Sequence, residues 1–301
     1  MKQLKRPAVW ATALVLMCAL AGAVWYFALR PLGAARLMAL LPAGDGPTLY
    51  VDIALLRRAG LLEKLAGQAG AEEEEYRRFV EATGFNYRTD LDAALLRFGP
   101  GGTLMAVAGR FDLEKLKTYA LAHGGRCAAT LCTMQGSAPE RQISWMPAGR
   151  NLLAVGVGAD PMTAALMGSG GRLAFRPPDA ALWLHLPGSE LRPRDGLPPG
   201  LSAFLSGLEG AARAMLSVER RGTEFAVALE APAATPAQAG AMAERLTEST
   251  QMLTKLLARE NRKPDPAELS GILASGTFRA EGSVVRGWWP IPAAFAERFG
   301  K

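Results

Sequence analysis

The chain holds 2 histidines, 3 cysteines and 301 residues in all. His123 stands at a predicted helix end before Gly124-Gly125, where it can meet terminal carbonyls. His185 stands in a strand between two leucines. Neither has a sequence neighbour that would make it a general base, and there is no Gly-x-Ser-x-Gly elbow, Ser-x-x-Lys or His-Glu-x-x-His. No catalytic, cofactor-binding or metal residue is assigned. A cryptic hydrolase would need a cleft that brings His123 or His185 beside a serine and a carboxylate. Cys127 and Cys132 are spaced to close a short disulfide across a turn in an oxidising compartment; two free thiols in a strand pair are the alternative. Zinc would need two further ligands nearby, which His123 alone does not supply.

Other chemistry-like features read as structure. Gly156-Val157-Gly158 lies between a strand and a helix, but Pro161 occupies the third glycine position of a dinucleotide fingerprint. Glu72–Glu75 is a run of four acids at a helix start, where acids suit the macrodipole. Consecutive helical residues diverge, so they do not converge on one cation. Glu73–Arg77 and Glu74–Arg78 have the spacing of surface pairs. Trp288-Trp289 is a possible contact surface. Strand neighbours point to opposite faces, so one ring enters the core. The other is covered by a terminal helix through Phe295 and Phe299, or is exposed to a partner.

The net charge of +6 arises mostly at the N-terminus. Lys2, Lys5, Arg6 and Arg30 lie there without an acid, and the remainder nearly balances at 30 basic against 28 acidic groups. That is not the footprint of a nucleic-acid binder. Pro7–Leu29 is uncharged for 23 residues, roughly 35 Å as a helix and enough to cross a bilayer. The run outlasts the apolar core of a signal peptide and carries aromatic residues near both ends, which favours an uncleaved anchor over a cleaved leader. The basic flank places the N-terminus in the cytoplasm. The reading is a single-pass protein, bound to the membrane through residues 7–29, with the bulk of the chain extracytoplasmic.

Beyond the anchor, strands and helices alternate. Thr48–Ile53 reads as a strand, and Leu55–Leu65 and Glu72–Thr83 as helices, the second capped by Gly84. Leu91–Phe98 and Thr103–Phe111 form a hairpin around Gly99–Gly102, and Asp112 caps the next helix. After a Gly- and Pro-rich stretch the order recurs: strand Ala181–Leu186, a helix within Leu201–Leu208, hairpin Ala214–Arg220 with Thr223–Glu230, then a long helix opened by Thr235-Pro236-Ala237-Gln238. Met242, Leu246, Leu253, Leu256 and Leu257 share one face of that helix.

The predicted fold class is α+β. It comprises an N-terminal transmembrane helix followed by two similar sheet-plus-helix (split βαβ, ferredoxin-like) halves with mainly antiparallel strands. The boundaries are 1–30 for the cytoplasmic stub and anchor, 31–46 for a tether, 47–167 for a first domain, 168–180 for a linker and 181–301 for a second domain. One continuous sheet across both halves is the alternative.

Several segments carry a resemblance: Leu41-Pro42, the strand Thr48–Ile53, Ala82-Thr83-Gly84-Phe85, Asp90-Leu91-Asp92 and Gly109-Arg110-Phe111-Asp112. Over roughly residues 35–160 the chain resembles uncharacterised membrane-anchored bacterial extracytoplasmic proteins, a domain of unknown function. The resemblance implies an envelope location and supplies no catalytic residue. The functional expectation is a non-enzymatic binding or assembly module of the bacterial envelope, with a protein partner. The alternative is a small-molecule or lipid-binding protein, marked by an apolar cavity of several hundred Å³ between sheet and helices.

Overall fold

The computed structural model describes residues 33–63, 74–168, 175–192, 199–221, 224–261, 263–292 and 295. The anchor expected at residues 7–29 lies outside them. Among the described residues no helix is long and apolar enough to cross a membrane.

Among the described residues twelve strands form one sheet. In chain order they are β1 Thr48–Asp52, β2 Leu91–Gly99, β3 Gly102–Gly109, β4 Arg126–Ala128, β5 Leu131–Gln135, β6 Gln142–Gly149, β7 Leu152–Gly158, β8 Leu182–Pro187, β9 Arg213–Arg221, β10 Glu224–Pro232, β11 Thr277–Glu281 and β12 Val284–Ile291. The spatial order is β11-β12-β10-β9-β8-β1-β2-β3-β7-β6-β5-β4. Every pairing is antiparallel.

This overturns the two ferredoxin-like halves. A split βαβ unit needs parallel neighbours, and there are none among the described strands. Two separate halves would also leave β1 and β8 as edges. Instead these two strands pair with each other, Thr48 opposite His185 and Tyr50 opposite Trp183. Joining them satisfies backbone groups that two edges would expose. The recurrence survives as topology within one sheet: each half runs strand, hairpin, then a last strand laid beside the hairpin's second arm.

The two-residue alternation gives the sheet two faces. On one face Trp183, Tyr50, Leu95, Ala106 and Ala154 form a row. Helix α1, Ala34–Met38, covers it, with Leu37, Met38 and Leu41 buried there beside Phe175. Residues 34–41 are therefore core rather than tether. The alanines at 93, 106, 108 and 154 leave room for that close approach. The same cluster includes Met215 of the second half, so the core crosses the expected linker.

On the other face Leu229, Leu216, Leu184, Leu49, Leu96, Met105 and Val155 form an unbroken row across adjacent strands. Helices cover this face in two groups. Near its start lie α2 Ile53–Arg58, α3 Glu74–Thr83, the single turn α4 Tyr87–Asp90 and α5 Leu113–Ala122. Over β9, β10 and β12 lie α6 Pro199–Gly207, α7 Pro236–Arg259 and α8 Leu269–Ala274, sharing a core with Val285 and Trp289. Helix α7 begins where Thr235 accepts from the Gln238 N–H at 3.2 Å, with Pro236 in the first turn.

Candidate binding cavity

Helix α3 turns Tyr76, Phe79, Val80 and Thr83 inward, the spacing of one helical face. It ends at Gly84, whose φ of +71° is left-handed and whose N–H bonds to the Val80 carbonyl. The chain then turns so that Phe85 faces the same space. Helix α5 starts at Asp112, whose carboxylate accepts from the Lys115 N–H at 3.1 Å. It presents Leu116 and Tyr119. Phe79 meets Tyr119 edge-on at 5.1 Å and Phe85 stacks on Phe111 at 5.2 Å.

The segments around Asp90 and Gly109–Asp112 converge here. Arg110 donates to the Asp90 carboxylate at 2.8 Å and to the Thr89 carbonyl at 2.6 Å. Asp90 also accepts from the Asn86 N–H at 2.8 Å. Burial alone would raise the Asp90 pKa. The Asn86 N–H and the Arg110 guanidinium outweigh it and hold the carboxyl below its ordinary value. A Cβ at Gly109 would collide with the Asp90 carbonyl, so glycine lets the segments close. Arg57 of α2 braces the same turn by donating to the Arg88 and Leu91 carbonyls and to Asp92.

Helices α3 and α5 stand over strands β3, β7 and β6. Between them lies a cavity of about 490 Å³. Its roof is Tyr76, Phe79, Phe85, Phe111 and Tyr119; its floor is Val107, Leu153, Val155, Trp145 and Ile143. The Tyr76 hydroxyl donates to Asn86 Oδ1 at 3.3 Å and accepts from the Tyr87 N–H at 3.2 Å. Burial raises its pKa. The carboxylate of Glu75 stands at the lining.

The cysteines lie next to two lining residues, Trp145 and Leu153. Cys127 and Cys132 face each other across β4 and β5 and are joined as a disulfide. Cys132 packs with Ala120, Trp145 and Leu153. The tryptophan pair divides between the two faces of the sheet. Trp289 is buried against Phe204 and Phe278, with Phe295 packed nearby. Trp288 is half-buried on the opposite face, in a shallow hollow of about 360 Å³ with Arg279, Arg286 and Glu219. Arg286 bridges Glu281 at 2.7 Å and Glu230 at 3.1 Å, and Arg279 meets Glu281 at 2.7 Å, so both arginines there are paired. Phe299 lies outside the described residues.

The remaining candidates resolve into structure. His123 is exposed, its Nδ1 2.8 Å from the Tyr119 carbonyl. His185 is 4% exposed and stacks on Phe175 at 4.0 Å. Neither lies beside a serine and a carboxylate among the described residues. Gly156-Val157-Gly158 ends β7 and leads to a 3₁₀ turn at Thr163–Leu166, where buried Ser144 accepts from the Ala164 N–H at 2.9 Å. Among the described residues no His, Cys, Asp and Glu cluster could hold a metal ion. A wider groove of about 760 Å³ is walled by the 42–47 and 97–104 turns. Its Arg97 is committed to the Pro42 carbonyl at 2.7 Å.

The aromatic roof is the feature that sequence reading missed. The spacing of Tyr76, Phe79, Val80 and Thr83 and the aromatics at 85 and 111 were its signal.

No known protein family matches the chain, and no curated protein matches it. Among solved structures the chain is similar to TP0453. Crystal form I gives a TM-score of 0.48 at 10% identity, covering 86% of this chain and 94% of that one. Crystal form III gives a TM-score of 0.48 at 11% identity, covering 86% and 93%.

Proposed function

We propose that the chain is a non-enzymatic binding module of the bacterial cell envelope, and that its ligand is a small apolar molecule held between α3, α5 and the sheet. The aromatic-walled cavity of about 490 Å³ carries this reading. Small-molecule sites are typically apolar clefts of about 300–1,000 Å³ with few polar groups. Two sequence features support the location: the uncharged run at residues 7–29, which would attach the chain to the membrane, and a disulfide suited to an oxidising compartment.

The test is mass spectrometry of solvent extracts of the full chain purified from membranes. A near-stoichiometric apolar molecule is expected with the wild type. It should be depleted at least about tenfold in Val107→Trp, which fills the floor with a large ring. Circular dichroism of the variant checks that the sheet is intact. Equal, substoichiometric background in both proteins would overturn the reading.

A second reading, docking of an envelope protein, draws on half-buried Trp288. A photo-crosslinker placed at position 288 in the full chain would trap a defined partner in cells. Absence of any adduct alongside an efficient control would remove it.

A further inference from the structure

Charge at the cavity mouth is one-sided. Glu72–Glu75 leads into α3, yet its described members have different fates. Glu74 takes both neighbouring cations: Arg77 pairs with it one turn on, and Arg78 pairs with it at 3.1 Å. Glu75 is left without an ion-pair partner among the described residues, and it is the carboxylate that lines the cavity. Among the described residues no arginine, lysine or histidine shares that lining. Beside Glu75 lie the rings of Tyr76, Phe79 and Phe85, and the Tyr76 hydroxyl is already engaged.

Resting on the cavity as a ligand site, we propose that it selects a molecule with an apolar body and a cationic nitrogen head, an amine or quaternary ammonium. The argument is complementarity. The interior offers rings and aliphatic side chains, so the buried part of the ligand must be apolar. A carboxylate or sulfate head would meet Glu75 with no cation to offset it. An ammonium head gains the free carboxylate and the π-faces of the surrounding rings, the pairing by which aromatic cages hold alkylammonium groups. Both attractions act at an open mouth, so they set preference rather than bulk affinity.

Three probes share a naphthalene body and differ only in the head: 1-naphthylmethylamine, 1-naphthylacetate and 1-naphthylmethanol. Their binding to the full chain in lipid nanodiscs would be measured by calorimetry, with empty discs subtracted. The amine should bind at least about threefold tighter than the alcohol, and the acetate weaker than both. The preference should shrink in high salt. Glu75→Gln should bring amine and alcohol together, and Glu75→Lys should reverse the order of amine and acetate. Equal binding of all three to the wild type, or an amine preference that persists in Glu75→Gln, would overturn the charge selection and leave the cavity standing as an apolar site. If none of the three binds the wild type, the cavity reading fails and this inference fails with it.

Discussion

His185 sits in the central core with its ring on Phe175, and its Nδ1 has no hydrogen-bond partner among the described residues. Desolvation pushes its pKa down from 6.5 to about 4; Asp45 opposes this weakly, and Arg213 and Arg97 add to it. The folded state thus binds this proton less readily than the unfolded state. Stability from the neutral imidazole is fully present above pH 6.5 and is lost as pH falls toward 4. The expected loss by pH 4 is on the order of 2–3 kcal/mol. Denaturant unfolding at pH 7 and pH 4 should show that loss in the wild type beyond whatever His185→Phe shows. Parallel loss in both proteins would place the acid sensitivity elsewhere. At this scale the sequence was informative where residue type dictates position. Alternation along β12 puts Trp288 and Trp289 on opposite faces, and Cys127 and Cys132 are cross-strand partners. It was silent on which acid of the Glu72–Glu75 run stays unpaired, because that depends on how side chains one turn apart share two arginines. It was also silent on Phe175 meeting His185, because Phe175 lies in a stretch read as linker.

Helix α7 shows how far periodicity reaches. Ala239, Met242, Ala243, Leu246, Thr250 and Leu257 are its buried residues, whereas Leu256, placed on the same face by sequence, is 38% exposed. The buried stripe narrows toward the C-terminal end. Leu246→Ala should therefore cost about 2–5 kcal/mol and Leu256→Ala under about 1 kcal/mol, read as shifts in the denaturation midpoint. Similar costs at both sites would mean that the helix packs along its whole length. Caps and turns were the most legible elements: Thr235, Asp112 and Gly84 act where their types suggest. Helix α1 was the least legible. Five residues after a Pro- and Gly-containing stretch carry too little period to read, and their burial is decided by alanines more than fifty positions away in β2, β3 and β7.

Across the whole molecule, the central core draws on Leu37, Leu95, Trp183 and Met215, residues from both halves. The two halves should therefore unfold together. Calorimetry of the full chain should give one cooperative endotherm for residues 33–295, where two independent domains would give two. Trp183→Ala should lower that single transition by about 3–5 kcal/mol rather than split it. The recurring element order was visible in the sequence, but the join was not. Pairing β1 to β8 is a choice between edges, and edge strands of similar composition carry no mark of their partner. That choice also sets an order of events during synthesis. β1 leaves the ribosome early and can find β2 soon after, yet its other partner arrives only when His185 follows Thr48 out. Until then, the strand destined for the middle of the sheet shows a bare row of amide groups, the kind of edge that recruits foreign strands. Under the proposed envelope location, export across a membrane would leave the most adhesive strand unguarded during that interval. The chain's yield should depend on a holding chaperone during the window before β8 emerges.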